Sequence, residues 1–321
     1  MAAPGAEVGR DAARDLLGTI GRTPMVELAR LAPHAGVRLY AKLEGANPSG
    51  SVKDRIALAM VSEARASGAL GSGQTILEPT SGNTGISLAL VGRLLGHPVR
   101  VVMPDNTTAE REQLLRLYGA EIVHSPGAEG SNGAVRLAER LAAEDRSLFM
   151  PYQYGNEANP RAHETTTGPE ILAQTPEVDV FVAGLGTGGT LTGVGRFLKR
   201  ELPGVRIVAA EPLPGELVQG LRSLEEGFVP PVLDASVLDD RYLVSNRDAV
   251  IGARRLLDEE GIFAGLSSGA AVAVGARVAR EMERGSVVVL LADGGWKYLS
   301  TDLWTRDLDD LEDELEGSLL W

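Results

Sequence analysis

Cysteine is absent from the 321-residue chain, and this alone excludes disulfide scaffolds and cysteine-ligated zinc. Aromatic side chains make up only 4% of it, so the interior must pack from aliphatic residues. No apolar run approaches the ~18 residues needed to cross a bilayer. The opening segment, MAAPGAEVGRDAARD, is polar and mixed in charge, unlike a signal peptide. A cytoplasmic location with no membrane partner is the expectation. Histidine occurs only as His34, His97, His124 and His163, without metal-ligand spacing, and H-E-x-x-H is missing. Metal catalysis is therefore disfavoured. Positive charge is short as well, with 31 basic against 44 acidic residues and a net charge of −13. Residues 302–321 hold eight of the carboxylates against one arginine, so much of the acidity belongs to this tail. With no basic patch to offset it, nucleic acid is not an expected partner.

What the chain does have is 44% apolar residues, 39 glycines and a regular alternation of patterns. Apolar, β-rich runs at 38–44, 75–80, 99–105, 121–126, 178–185, 205–212 and 286–295 alternate with helical patterns near 52–67, 83–96, 108–118, 131–145, 188–200, 247–260 and 268–283. Strands separated by helices indicate βαβ units and mainly parallel sheets. Several strands are apolar throughout, as expected when helices cover both faces. The predicted class is α/β. Ligands in such folds bind where strands end and helices begin, which directs attention to four glycine- and serine-rich turns: 47–55, 79–85, 184–190 and 265–270. The irregular stretch 211–234 is long for a connector and reads as a substrate loop or a surface excursion.

Lysine is the scarcest basic residue, present only as Lys42, Lys53, Lys199 and Lys297. Lys42 falls in a strand pattern, Lys199 ends a surface helix, and Lys297 follows the GGW turn. Lys53 alone follows a Ser-Gly-Ser turn and opens a helix, where the electropositive first turn lowers an amine's pKa and attracts a phosphate or aldehyde. Schiff-base chemistry there competes with an ordinary solvated lysine. The turn GLGTGGT offers backbone N–H groups to an anion and also satisfies G-x-G-x-x-G, with Glu211 placed as a ribose-binding acid would be. A nicotinamide-dependent oxidoreductase is thus a rival reading. PTSGNTG suits a carboxylate or a cofactor ring oxygen, against plain helix capping by Ser81 or Asn83.

Taken together, Ser51-Val52-Lys53-Asp54-Arg55, Thr80-Ser81-Gly82-Asn83-Thr84-Gly85, Gly186-Thr187-Gly188-Gly189-Thr190 and Gly265-Leu266-Ser267-Ser268-Gly269 resemble the cysteine synthase family of pyridoxal 5'-phosphate enzymes. The resemblance implies two three-layer αβα domains with mainly parallel twisted sheets. The expected division is a flexible N-terminus at 1–15, a large cofactor domain at 16–44 plus 154–301, a smaller mobile substrate domain at 45–153, and an acidic tail at 302–321. It implies that Lys53 forms the Schiff base, Asn83 bonds the ring hydroxyl, and Gly186, Thr187, Gly188, Gly189 and Thr190 hold the phosphate. At Gly188 either glycine or threonine would pass in the family, so this position does not separate its branches. Ser267, ahead of Ser268, would face the pyridine nitrogen. Thr80, Ser81, Gly82, Thr84, Gln153 and Arg222 are the implied substrate contacts.

Gly220-Leu221-Arg222, Glu226-Gly227-Phe228-Val229-Pro230 and Asp293-Gly294-Gly295-Trp296-Lys297-Tyr298 resemble the O-phosphoserine-dependent branch. That branch implies β-replacement on O-phospho-L-serine through an aminoacrylate, with sulfur from sulfide or a thiocarboxylated, ubiquitin-like carrier protein, in a homodimer. O-acetylserine sulfhydrylase, cystathionine β-synthase and a serine or threonine dehydratase are alternatives within the cofactor class. A catalytically silent binding protein is another outside it. The tail 307–321, with Leu308, Leu311 and Leu315 at helical spacing and a Leu319-Leu320-Trp321 tip, is expected to cover the site rather than join the core.

Overall fold

The computed structural model describes residues 12–80, 82–175 and 177–311. Within them the chain builds two sheets. The first has six strands in the order β1 (Met25–Glu27), β2 (Val37–Leu43), β10 (Gly285–Leu291), β7 (Val180–Gly184), β8 (Arg206–Pro212) and β9 (Asp240–Val244). Only the β1–β2 pair is antiparallel. The second has four parallel strands, β5 (Glu121–Ser125), β4 (Val99–Pro104), β3 (Thr75–Pro79) and β6 (Leu148–Phe149). The chain leaves the larger sheet after β2, completes the smaller one, and returns.

Period-two alternation explains why the strands are apolar on both faces. In β7, Val180 and Val182 enter one core while Phe181 and Ala183 enter the opposite one. In β10, Val287, Val289 and Leu291 face the first core, and Val288 and Leu290 the second. Helices α8 (Asn246–Glu260) and α9 (Leu266–Glu281) close the first face. Helices α6 (Gly168–Gln174) and α7 (Gly189–Glu201) close the other. The smaller sheet is treated alike. Ile76, Val101 and Met103 pack under α1 (Lys53–Ala66), α2 (Asn83–Leu95) and α3 (Ala109–Leu117), while Leu77 and Val102 meet α4 (Gly130–Glu144). Each sheet is the middle of a three-layer sandwich.

The sequence patterns place these elements within a few residues, except where elements are short or carry helix breakers. β1, β6 and β9 were not expected. Residues 158–174 hold no expected helix because Pro160, Gly168 and Pro169 read as breakers. They instead form α5 (Ala158–Ala162), a π turn at His163–Thr167, and α6. Pro169 sits at the start of α6, where its missing N–H costs nothing. Leu308 corrects the expectation for the tail's start, since it packs against the larger core together with Trp304. The expected lid residues Leu315, Leu319, Leu320 and Trp321 lie outside the described residues, as does Ser81. Among the described residues no helix is long and apolar enough to cross a membrane.

Candidate active site

Helices α1, α2, α7 and α9 all begin around one cleft between the sheets. Lys53, Thr80, Gly82, Asn83, Thr84, Gln153, Gly186, Thr187, Arg222 and Ser267 line it. A smaller cavity adjoins it through Lys53, Gly186, Thr187 and Ser267, and adds Gly188 and Thr190. Residues from four separate turns and the 211–234 stretch therefore meet at one place.

Lys53 is the first residue of α1, and its amine is held below the usual lysine range by burial, with Asp293 and Glu44 opposing that shift. An amine whose pKa is lowered and which lines a cavity is more readily freed of its proton to act as a nucleophile. Behind it, Arg55 binds Glu44 at 2.7 Å and Glu170 at 2.7 Å, and Lys42 binds Glu170 at 2.7 Å. Burial would raise Glu170, but hydrogen bonds from Arg55 and Lys42 outweigh it and hold the carboxyl near about 2. This network anchors the first turn of α1, and so Lys53, to β2 and α6.

The turn at 186–190 opens the 13-residue helix α7, whose N-terminal N–H groups are of the kind that can receive an anion. Gly188 has φ +83°, and a Cβ there would lie 2.8 Å from Leu233 Cβ. A side chain here would strain the backbone and press on Leu233. Gly186 is equally constrained, because a Cβ would meet the Gly220 carbonyl at 2.6 Å. Gly189 lines neither cavity but seats the turn against Asn159, whose amide donates to Thr187 Oγ1 (3.1 Å) and to the Gln153 carbonyl (2.9 Å). Thr190 Oγ1 contacts His163 Nε2 at 3.2 Å, and His163 is kept well below its usual pKa by burial and by the nearby Arg55 and Lys53 charges.

At the start of α2 the N-cap is Gly82, with no side-chain cap. Asn83 therefore does not cap the helix. Its Nδ2 donates to Asp293 Oδ2 (2.7 Å) and its Oδ1 accepts from Lys297 Nζ (2.7 Å). Thr84 Oγ1 donates to Gln153 Oε1 at 2.6 Å. Gln153 is fixed in turn by Glu78, which accepts from the Tyr152 and Gln153 N–H groups at 2.8 and 2.9 Å. Burial pushes Glu78 up to about 8. Ser267 faces the cleft from the first turn of α9, whereas Ser268 lines neither cavity. Arg222 lies 5.5 Å from the centroid of Tyr154 and 4.7 Å from that of Phe228, and reaches Asn132 at 3.4 Å. Glu211 is spoken for: it accepts from Leu224 N and Ser223 and pairs with Arg241. It is not available as a ribose acid, which removes one of the two features behind the nicotinamide reading.

The glycine turns and the Lys53 amine thus line one cleft at the start of four helices. The family model for pyridoxal-phosphate dependent enzymes matches residues 16–294. The chain belongs to that family. It is 45% identical over 298 residues to the cysteine synthase of Staphylococcus aureus strain Mu50, covering 90% of this chain and 96% of the relative. Among solved structures, O-ureido-L-serine synthase is 42% identical, with a TM-score of 0.87 over 94% of this chain and 100% of that one. The Entamoeba histolytica cysteine synthase is 34% identical, with a TM-score of 0.88 over 98% of both chains.

This enzyme is accordingly a pyridoxal-phosphate-dependent cysteine synthase in type. The residues present fit the cofactor, because Lys53, Ser267 and the turn residues Gly186, Thr187, Gly188 and Thr190 at the start of α7 line one cavity. Sequence reasoning missed Asp293 and Lys297, both buried beside Asn83. The available signals were that both lie in the Asp293–Tyr298 motif and that Lys297 is one of four lysines.

Proposed function

We propose that this enzyme makes L-cysteine from O-phospho-L-serine by exchanging phosphate for sulfur at the β-carbon. The observation that carries this reading is Arg222, which lines the Lys53 cleft between two aromatic rings and pairs with no carboxylate among the described side chains. A guanidinium so placed presents a fork suited to a phosphate.

Pyridoxal phosphate, when bound, supplies the electron-withdrawing ring that makes an amino acid's α-proton removable. Lys53 holds the cofactor and, when displaced by substrate, carries that proton. The 186–190 turn binds the cofactor phosphate, Asn83 the ring oxygen, and Ser267 the ring nitrogen through a neutral hydroxyl. Thr80, Ser81, Gly82, Thr84 and Gln153 receive the substrate α-carboxylate at the start of α2. The Cβ–O bond breaks as phosphate leaves, the Cβ–S bond forms, and the proton held at Lys53 Nζ returns to Cα. Sulfur arrives as sulfide or from the thiocarboxylate of a small ubiquitin-like carrier protein, and the enzyme acts as a cytoplasmic homodimer.

Arginine–phosphate contacts are worth roughly 1.5–3 kcal/mol, on the order of 10–150-fold. Arg222→Ala should lower kcat/KM for O-phosphoserine by that factor and leave O-acetylserine nearly unchanged. An equal loss on both substrates, or a wild type preferring O-acetylserine, refutes the branch assignment. The second outcome would align this enzyme with O-acetylserine sulfhydrylase isoform 3 of Entamoeba histolytica, which is 36% identical with a TM-score of 0.85 over 95% of this chain and 97% of that one.

A further inference from the structure

Lys297 is wholly buried, yet its ammonium is neither a surface charge nor part of an ion pair with a described carboxylate. It donates to two acceptors, the Gly50 carbonyl at 3.2 Å and Asn83 Oδ1 at 2.7 Å. Gly50 lies in the turn before Lys53, and Asn83 opens α2. One side chain thus ties together the turns that carry the Schiff-base lysine and the ring-oxygen contact. Its own backbone is fixed as well, since Lys297 O accepts from Thr108 Oγ1 at 3.1 Å.

The consequence for Asn83 follows from donor and acceptor chemistry. An ammonium only donates and a carboxylate only accepts. With Lys297 on one side and Asp293 on the other, the Asn83 amide has one allowed orientation: Oδ1 toward Lys297, Nδ2 toward Asp293. Rotating it by 180° would set N–H groups against the ammonium and an oxygen against the carboxylate, and lose two charge-assisted bonds. Asp293 is itself held by Tyr298, whose hydroxyl donates to Oδ2 at 2.7 Å. Nδ2 carries two hydrogens and Asp293 takes one of them. The other is left for whatever occupies the cleft that Asn83 lines.

We propose that Lys297 is a positioning residue that locks Asn83 so that an amide N–H, never the amide oxygen, meets the ring oxygen of bound pyridoxal phosphate. An N–H donor favours the ionised ring oxygen, and an amide oxygen would oppose it. The proposal rests on reading Asn83 as the ring-oxygen contact, so the test separates the two.

Apoprotein of wild type, Asn83→Ala, Lys297→Met and the double variant is titrated with pyridoxal phosphate. Affinity is read by absorbance, together with the ratio of the visible band of the ring-ionised form to the near-ultraviolet band of the neutral form. Lys297→Met should weaken binding about tenfold and lower that ratio, as loss of one hydrogen bond to a charged acceptor does. In the Asn83→Ala background the same change should add less than about twofold, because the two residues act as one unit. If Asn83→Ala alters both readouts and Lys297→Met alters neither, the proposal fails and the Asn83 reading stands. Equal losses from Lys297→Met in both backgrounds also overturn it. If Asn83→Ala alters nothing, the Asn83 reading itself is wrong.

A second measurement needs no change at Lys297. With four lysines in the chain, ¹⁵N-labelled lysine gives four Nζ signals, and the three others are assigned by substitution. The remaining Lys297 signal should shift when cofactor is added to wild-type apoprotein and stay fixed in Asn83→Ala. No shift in the wild type refutes the coupling.

Discussion

Gly189→Ala tests whether the cofactor turn and the substrate side of the cleft are built as one unit. A Cβ at Gly189 would lie 1.9 Å from Asn159 Oδ1 and 2.5 Å from its Cγ. Asn159 is buried and cannot swing aside freely, because its Nδ2 holds both Thr187 Oγ1 and the Gln153 carbonyl. Forcing a methyl into such packing costs about 1–3 kcal/mol, and giving up a buried hydrogen bond adds about 1–3 kcal/mol. The expected loss is about 2–6 kcal/mol, which lowers Tm by roughly 3–9 °C for a protein of this size. Because Thr187 and Gln153 move with Asn159, cofactor affinity and KM for the amino acid substrate should worsen together. Gly204→Ala is the control, since nothing lies within 4 Å of its Cβ position and its φ is not left-handed. It should leave Tm within about 1–2 °C, as surface changes do. The measurement is thermal unfolding of the holoenzyme beside a cofactor titration of the apoprotein. A Gly189→Ala protein with wild-type Tm and affinity would show that Asn159 has room to relax, and the idea of a shared support would be wrong.

Lys53→Ala should abolish turnover, and borohydride reduction of the wild type should fix the cofactor to the peptide carrying Lys53; label found on Lys42, Lys199 or Lys297 instead would reject the assignment. Glu170→Gln should destabilise the fold by about 3–5 kcal/mol at pH 7, because it leaves Arg55 and Lys42 buried without their shared partner. The Glu170 pKa is depressed by folding to about 2, so its contribution is present above the unfolded value near ~4.3 and is lost as pH falls toward 2. Denaturant unfolding across that range should show the wild type and the variant converging at the acid end, and a difference that does not shrink would mean the charge of Glu170 is not what matters.

Much of the cleft was legible because glycine-rich turns are local instructions. Gly186, Gly188 and Gly189 are needed where they stand because neighbouring atoms or a left-handed φ leave no room for a side chain. Such needs are written in consecutive residues. Lys53 could be singled out from scarcity and from the Ser-Gly-Ser turn before it. The alternation of apolar strands with helices gave the layered α/β architecture, because the strand period sends neighbouring residues to opposite faces and both faces had to be covered.

What the local pattern could not carry is partnership between distant positions. Lys297 and Asn83 are 214 residues apart, and nothing in W-K-Y tells a buried donor from a solvated lysine. The same holds for Arg55 with Glu170, 115 residues away, and for Arg222 between Tyr154 and Phe228. The π turn at 163–167 joins two short helices that contain the expected breakers Pro160, Gly168 and Pro169, and α5 and α6 both pack against α7. Sequence alone marked out the turns and the amine that the fold gathers around one cleft, since turns depend on backbone freedom and residue type over a few positions. Tertiary structure decided which charges are buried, which carboxylates hold them, and which way the Asn83 amide must face, because those depend on what the fold brings within 3 Å.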